Sequence, residues 1–149
     1  MKKKKRAIVS AVLISKDNKI LLGKVREGGV YPDCWHIPGG GVDGDETKHQ
    51  ALIREIKEEV GIDIDNIKQV LLSDYDTGVA EKIDKSDGEK YLIEMAFNTY
   101  KVVLPFEAEK ISVSLDDDLK EYKWVEMKDL GNYKHTPPSE KLFTSLGWL

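Results

Sequence analysis

The sequence predicts an α+β fold in which strands and helices form one compact domain over residues 1–149. Three observations support this prediction. Several short apolar runs have the composition of β-strands, one central segment carries apolar residues at helical spacing, and 40% of the residues are apolar. A chain of 149 residues with that apolar content can bury a substantial core but is short for two domains.

The chain begins with a predicted β-hairpin. Residues 6–15 and 19–25 are apolar runs joined at Asp17-Asn18, residue types that tolerate the left-handed backbone of tight turns. We interpret the basic residues 2–5 as a frayed, solvated terminus and not as the start of a signal peptide, because the apolar run after them is short and leads into a turn. No apolar stretch has the length that a membrane span needs.

A helix is predicted over residues 47–60, after a loop and a glycine run. Residues 27–33 favour a loop and residues 35–37 a short strand. The Pro-Gly-Gly-Gly run at 38–41 is predicted to interrupt the sheet and to bring backbone close to a ligand. Gly61 stands where a helix C-cap belongs. The apolar residues at helical spacing are Ala51, Leu52, Ile56 and Val60.

The remainder of the chain predicts further strands and a closing helix. Ser139 is the predicted N-cap of that helix. The predicted elements are strands at 64–72, 91–104 and 121–126, a polar irregular segment at 73–90 with turns at Thr77-Gly78 and Asp87-Gly88, and a helix at 137–149.

The charge and cysteine content exclude some classes of protein. With 23 basic and 27 acidic residues the net charge is −4, which argues against stable nucleic-acid binding because that function needs a basic face. The single cysteine, Cys34, excludes an internal disulfide and favours a cytoplasmic location. Neither His36 nor His135 stands at zinc-ligand spacing from other histidines or from cysteine.

Three carboxylates are predicted to share one face of the helix. At about 100° of rotation per residue, Glu59 lies about 40° to one side of Glu55, and Glu58 lies about 60° to the other. Like charges at this spacing destabilise a helix unless something compensates them. Arg54 can pair with Glu58, but one guanidinium does not neutralise three carboxylates. A hard cation such as Mg²⁺, which takes oxygen ligands, would do so.

The segment before the helix complements those carboxylates. Gly39, Gly40 and Gly41 lack Cβ atoms, so their backbone can approach a phosphate or a metal ion directly. Glu46 lies at the start of the helix, eight residues before Arg54, where it can either cap the helix or bridge to that arginine.

These residues together resemble the Nudix box, G-x5-E-x7-R-E-U-x-E-E-x-G-U with U aliphatic. One departure lies in the variable part, because many relatives have glycine directly before the glutamate, whereas here Asp45 follows Gly44. Outside the box the chain is similar to small MutT-like bacterial nucleoside triphosphatases that prefer pyrimidine deoxynucleotides. The matching positions are Gly40, Glu46, Arg54, Glu55, Ile56, Glu58, Glu59, Gly61 and Ile62.

The resemblance implies an α/β/α sandwich with a mixed sheet and a Mg²⁺-dependent hydrolase, with Mn²⁺ as an alternative ion. A nucleoside triphosphate would give a nucleoside monophosphate and pyrophosphate. By position, Glu58 and Glu59 are the metal ligands, the Gly39 carbonyl adds a backbone ligand, and Glu55 joins them or orients the attacking water. Arg54 and Glu46 are supporting residues, Gly40 and Gly41 face the substrate, and Lys24 is a candidate contact to the phosphates.

Several alternatives remain open at this stage. Some family members recruit a further carboxylate, for which Asp116, Asp117 and Asp118 are candidates, although three acids in a turn are also typical of a solvated turn. The substrate is alternatively a nucleoside diphosphate linked to another group, such as ADP-ribose or a nucleotide sugar. A third alternative is a Nudix-fold module that binds nucleotides without cleaving them, and homodimers are common in the family.

Overall fold

The computed structural model describes residues 2–29 and 31–149, with the side chains of residues 76–80 left aside. One seven-stranded sheet is flanked by two α-helices and two short 3₁₀ helices in these ranges. The strands are β1 Lys2–Ile14, β2 Lys19–Val25, β3 Trp35–His36, β4 Gly39–Gly41, β5 Val70–Ile83, β6 Lys90–Val103 and β7 Leu119–Glu126, and the α-helices are α1 Lys48–Val60 and α2 Pro137–Ser145.

The sheet is mixed, as the resemblance implied. β1 lies at its centre, pairs in parallel with β6 over its whole length, and pairs antiparallel with β2 and with β4. β5 extends the sheet beyond β6, while β7 and β3 both pair with β2. The predicted hairpin between β1 and β2 is confirmed, and Asn18 in its turn has a left-handed φ of 60°.

The two faces of the sheet bury separate apolar clusters, which confirms the predicted α/β/α sandwich. Alternation along β1 sends Val9 and Leu13 to one face, where they pack against α1, and Val12 to the other, where it packs against α2. The helical residues that complete the two clusters are Ala51, Leu52, Ile56 and Val60 of α1, and Leu142 and Phe143 of α2.

The predicted bounds of the central helix are confirmed to within one residue. Thr47 is the N-cap and accepts a hydrogen bond from the Gln50 backbone N–H, and the Gln50 side chain accepts one from the N–H of Thr47. Gly61 takes a left-handed φ of 72° and donates its N–H to the Lys57 carbonyl, as a C-cap glycine does.

Three predictions about the strands are wrong. The lysines at 2–5 are not a frayed terminus, because β1 begins at Lys2 and these residues pair with residues 91–94 of β6. Residues 64–69 lie outside regular strands, and β5 begins only at Val70. Most of the segment 73–90, predicted to be irregular, belongs to the β5–β6 hairpin, which tolerates polar residues because they are largely exposed.

Two further corrections concern the glycine run and the last helix. Residues 39–41 form β4 instead of interrupting the sheet, since they pair with residues 8–10 of β1. The last helix ends at Ser145 and its N-cap is Thr136, whereas Ser139 is buried and accepts a hydrogen bond from the Thr136 hydroxyl. None of the helices in the described ranges has the length and apolar character that crossing a membrane requires.

Candidate metal and substrate site

The helix α1 presents its three glutamates at graded depths beside β4. Glu59 is buried, with 6% of its surface exposed, and one of its carboxylate oxygens accepts a hydrogen bond from the Gly39 N–H at 3.3 Å. The side chain of Glu55 is 17% exposed and that of Glu58 is 57% exposed. The predicted face therefore runs from the sheet outwards to solvent.

Glycine is required in β4 because the strand is packed between β1 and α1. A Cβ atom on Gly40 would lie less than 3.0 Å from the carboxylate of Glu55, and one on Gly39 would clash with the backbone of Val9 and Ser10. The absent side chains thus let the helix carboxylates approach the strand backbone.

Arg54 ties the loop before α1 to the helix. Its guanidinium donates two hydrogen bonds to the Glu46 carboxylate, at 2.7 and 2.9 Å, and one to the Gly41 carbonyl at 3.0 Å. It also donates to Glu55 at 2.9 Å and to Glu58 at 3.2 Å. Of the two roles considered for Glu46, the structure therefore has the arginine bridge, while Thr47 caps the helix.

The carboxylate of Glu46 is stabilised in its charged form. The hydrogen bonds from Arg54, followed by one from the Asp43 N–H at 2.9 Å, lower its pKa to about 2. Gly44 takes the left-handed backbone of this turn, with a φ of 45°, one position earlier than the glycine of many relatives. The departure at Asp45 is accommodated without loss of the Glu46–Arg54 contact.

Negative charge is concentrated around Glu59. Burial raises its pKa to about 8 against the opposing hydrogen bond from Gly39, and Asp116, Glu55 and Asp118 raise it further. Burial also raises the pKa of Glu55, although Arg54 opposes that shift. Two of the three acids of the 116–118 turn therefore influence the buried glutamate electrostatically.

The donor groups at this site suit a hard cation. No three histidine, cysteine, aspartate or glutamate side chains within the described ranges are gathered closely enough to hold a metal ion, and both Glu55 and Glu58 contact Arg54 instead. All available donors are nevertheless carboxylate or carbonyl oxygens, which Mg²⁺ and similar ions prefer. Glu59 is buried, accepts one hydrogen bond from the Gly39 N–H and has a raised pKa, so its carboxylate is costly to ionise without a cation.

An open cleft, here called the acidic cleft, leads to Glu59. Gly39, Asp118 and Arg26 also line it, and the Arg26 guanidinium lies 3.8 Å from the Asp118 carboxylate. Lys24 is not part of this lining, because its ammonium lies 3.9 Å from Glu121 and over the ring of Trp35. Arg26 lies outside the box, and no motif spacing distinguishes it in the sequence.

A second depression, here called the apolar cavity, adjoins the acidic cleft on the α2 side of the sheet. Its volume is about 140 Å³, and Gly39 and His36 line both depressions. The rings of Tyr75 and Phe97 stack at its wall with centroids 5.4 Å apart, and Lys141 lies over the Tyr75 ring. At the wall of the cavity, the buried hydroxyls of Ser10 and Thr99 hydrogen-bond at 3.0 Å.

No single motif predicts this cavity, because β1, β3, β4, β5, β6 and α2 each contribute only one to three residues to it. Alternating apolar and hydroxyl residues in three distant strands carry no motif. Trp35 lies in the core cluster beside α2, and Cys34 is buried.

Comparisons with known proteins confirm the family that the Nudix box predicted. A sequence model of the NUDIX domain matches residues 4–146. The chain belongs to the Nudix family. A relative of this Nudix hydrolase is the nucleoside triphosphatase NudI of Escherichia coli O17:K52:H18 (strain UMN026), 31% identical over 143 residues that cover 92% of this chain and 94% of the relative. NudI of Salmonella newport (strain SL254) is 31% identical over 129 residues, 81% of this chain and 82% of the relative.

Solved structures show the same Nudix fold. A MutT protein from Methanosarcina mazei Go1 aligns with a TM-score of 0.68 at 19% identity, covering 99% of this chain and 96% of that one. The dihydroneopterin triphosphate pyrophosphohydrolase of E. coli aligns with a TM-score of 0.68 at 20% identity, covering 93% and 92%. Nudix hydrolases as a family use a divalent metal ion, which fits the oxygen donors around Glu59.

Proposed function

We propose that this Nudix hydrolase, a single domain over residues 1–149, cleaves nucleoside triphosphates to nucleoside monophosphate and pyrophosphate. The relatives that align over most of the chain are nucleoside triphosphatases. The acidic cleft and the apolar cavity meet at Gly39 and His36, so a polyphosphate and a base can be bound side by side. Deoxynucleotides with a pyrimidine base are the proposed preferred substrates.

The observation that carries the proposal is the buried carboxylate of Glu59. A carboxylate that is 6% exposed, next to Glu55 and the acids at 116 and 118, is costly to ionise unless a cation is bound. A structural role alone would be served better by an apolar side chain at this depth. The ionised carboxylate is explained if it binds a divalent ion that also binds the polyphosphate.

We assign the metal ligands to Glu55, Glu58, Glu59 and the Gly39 carbonyl, with Mg²⁺ as the ion and Mn²⁺ as a substitute. When bound, such an ion neutralises phosphate charge and polarises the phosphorus that water attacks. Glu58 has to leave Arg54 to take this role, which its 57% exposed side chain allows.

The other box residues position these groups in the proposed mechanism. Arg54, held by Glu46, fixes the middle of α1 against the Gly41 carbonyl and so sets the distance between helix and strand. Gly40 and Gly41 let a phosphate approach the backbone closely. Glu55 either joins the metal ligands or orients the water, whose oxygen bonds to phosphorus as the bridging P–O bond breaks.

The apolar cavity is the proposed base site. A cavity of about 150 Å³ is known to hold one benzene ring, so the volume of about 140 Å³ here suits a single-ring base. The stacked rings of Tyr75 and Phe97 offer an aromatic wall, and the Ser10 and Thr99 hydroxyls offer polar contacts to the base edge. This size argument supports the proposed preference for pyrimidines.

Two residues outside the box receive different proposals. Asp118 lines the acidic cleft with Glu59 and is the proposed additional carboxylate of the site. Arg26 is the better placed phosphate contact, because it lines the acidic cleft with Glu59 and Lys24 does not. Lys24 therefore stays a weaker candidate, to be compared directly with Arg26 by charge removal.

A substrate panel tests the proposed function. With Mg²⁺ at alkaline pH, release of pyrophosphate from the four deoxynucleoside triphosphates should exceed the hydrolysis of ADP-ribose and GDP-mannose. Deoxycytidine and thymidine triphosphates should be cleaved faster than the purine nucleotides. Equal or faster turnover of the diphosphate compounds would show that the substrate class is wrong, and replacing Mg²⁺ with Mn²⁺ should preserve the activity.

A pair of variants on α1 distinguishes an enzyme from a module that only binds nucleotides. Glu58→Gln removes one proposed ligand and should lower activity by orders of magnitude at fixed Mg²⁺. The control is Lys57→Gln, an exposed neighbour on the same helix, which should keep wild-type activity. If both variants are equally active, Glu58 is not part of the metal site.

We further propose a cytoplasmic location, based on the single cysteine, and a small-molecule nucleotide substrate without stable binding to nucleic acid. Self-association into a homodimer is a separate proposal, made because homodimers are common in the Nudix family. Sedimentation of the purified chain at several concentrations tests it, with a single species of 16.9 kDa as the contrary result.

A further inference from the structure

His36 occupies the boundary between the two depressions of the site. It lines the apolar cavity together with Tyr75 and Phe97, and it lines the acidic cleft together with Glu59 and Asp118. A nucleotide has its base and its phosphates on opposite sides of the sugar. If the base occupies the cavity and the phosphates the cleft, the sugar must lie next to His36.

The hydrogen bonds around His36 determine which of its ring nitrogens carries the proton. Its Nδ1 lies 3.3 Å from the Thr136 hydroxyl oxygen, and that hydroxyl donates its own hydrogen to Ser139 at 3.1 Å. Thr136 can therefore only accept from His36, so Nδ1 is the protonated nitrogen.

The other nitrogen, Nε2, is then an acceptor in the neutral ring. No hydrogen bond joins it to another of the residues that the structure describes. Burial favours the neutral ring, since it lowers the pKa of His36 to about 4. The side chain is thus held in one tautomer with an acceptor available to a ligand.

We infer that His36 accepts a hydrogen bond from the 3′-hydroxyl of a bound deoxynucleotide and so contributes to substrate specificity. The inference rests on the proposed function, because it takes the base and phosphate positions from it. The Thr136–Ser139 pair at the start of α2 acts through His36 by fixing the ring, and these two are positioning residues.

The first test uses the unaltered enzyme and two matched substrates. Deoxycytidine triphosphate and 2′,3′-dideoxycytidine triphosphate differ only in the 3′-hydroxyl. The wild-type kcat/KM should fall up to about tenfold for the dideoxy compound, which is the upper end of what one hydrogen bond usually contributes. Equal kcat/KM for the two compounds would overturn the inference without any variant.

Variants then assign the effect to His36. His36→Leu removes the acceptor and should lower kcat/KM up to about tenfold for the deoxy compound while leaving the dideoxy compound nearly unchanged. His36→Gln keeps an acceptor and should retain part of the preference. If His36→Leu lowers kcat/KM equally for the deoxy and the dideoxy compound, the role of His36 is purely structural and the inference is contradicted. If the variant changes the ratio of kcat/KM for dCTP to kcat/KM for dTTP but keeps the preference for a 3′-hydroxyl, His36 contacts the base, and the inference is contradicted.

Binding gives a readout that is independent of turnover. Titration with the α,β-imido analogue of dCTP and with its dideoxy form should show the same difference in Kd for the wild type and none for His36→Leu. The proposed function fails separately, because it predicts that wild-type enzyme cleaves dCTP at all. Cleavage of dCTP with no dependence on the 3′-hydroxyl would overturn only the assignment of His36.

Discussion

Replacing Glu59 with glutamine should make the metal-free protein more stable while removing its activity. The carboxylate is 6% exposed, and its pKa is raised to about 8 from the ordinary value of 4.5, primarily by burial. Glutamine has the same shape and can still accept the hydrogen bond from Gly39, but it carries no charge. The substitution therefore removes an electrostatic cost and, with it, a proposed metal ligand.

The size of the effect follows from proton linkage. The folded carboxyl group holds its proton to higher pH than the unfolded one, so the free energy of unfolding falls as pH rises from 4.5 towards 8. Each pH unit in that window costs about 1.4 kcal/mol, so the cost at pH 7 is about 3 kcal/mol. Glu59→Gln should recover a large part of it, which corresponds to an increase in Tm of roughly 5–10 °C.

Urea unfolding in EDTA, followed by tryptophan fluorescence at pH 4 and pH 7, measures this difference. The gain in the free energy of unfolding should be present at pH 7. It should be absent at pH 4, where Glu59 of the wild type is largely protonated in both the folded and the unfolded state. Glu58→Gln is the matched control, since its exposed side chain should give no such gain. A Glu59→Gln variant that is no more stable than wild type at pH 7, or equally stabilised at both pH values, would refute the reasoning.

The remaining predictions concern the loop, the glycine strand and His36. Arg54→Lys loses the paired contact to Glu46 and should lower both kcat and the midpoint of urea denaturation; an unchanged midpoint would contradict it. Gly39→Ala should clash with the backbone of Val9 and Ser10 and lower both Tm and activity, whereas Gly131→Ala, which meets open space, should leave thermal melting and turnover unchanged. His36 has its pKa lowered from 6.5 to about 4 by burial, so its contribution to the free energy of unfolding is complete above pH 6.5 and falls by about 3 kcal/mol as the pH drops to 4. Because Glu59 acts in the opposite sense, this contribution is measured as the difference in unfolding free energy between the wild type and His36→Leu at pH 6.5 and pH 4, and a difference that does not change with pH would contradict it.

The box residues could be predicted because their chemistry depends on short spacings. Residues three and four apart on a helix share a face, so the positions of Glu55, Glu58 and Glu59 followed from rotation per residue alone. The contact between Glu46 and Arg54 also spans only eight residues, and a bridge between them was one of two expected roles. Local geometry thus accounts for most of the candidate metal site.

Pairings between distant segments could not be predicted in the same way. The strand character of residues 2–5 depends on residues 91–94, and lysines in isolation favour solvent. Lys3 and Lys4 are accommodated because Glu94 and Asp84 lie 3.3 Å from them across the sheet. Likewise, the role proposed for His36 depends on Thr136, which is 100 residues away in the sequence.

The parallel pairing of β1 with β6 has a consequence for biosynthesis. β1 is synthesised before β6, the strand with which it pairs along its whole length, and β6 ends at Val103. About two thirds of the residues must therefore leave the ribosome before β1 can form all its hydrogen bonds with β6. Such long-range pairing is slow, and an unpaired apolar strand is prone to aggregation while it waits. The basic residues at 2–6 adjoin this apolar run, and charged residues beside an apolar strand generally oppose association between unpaired strands.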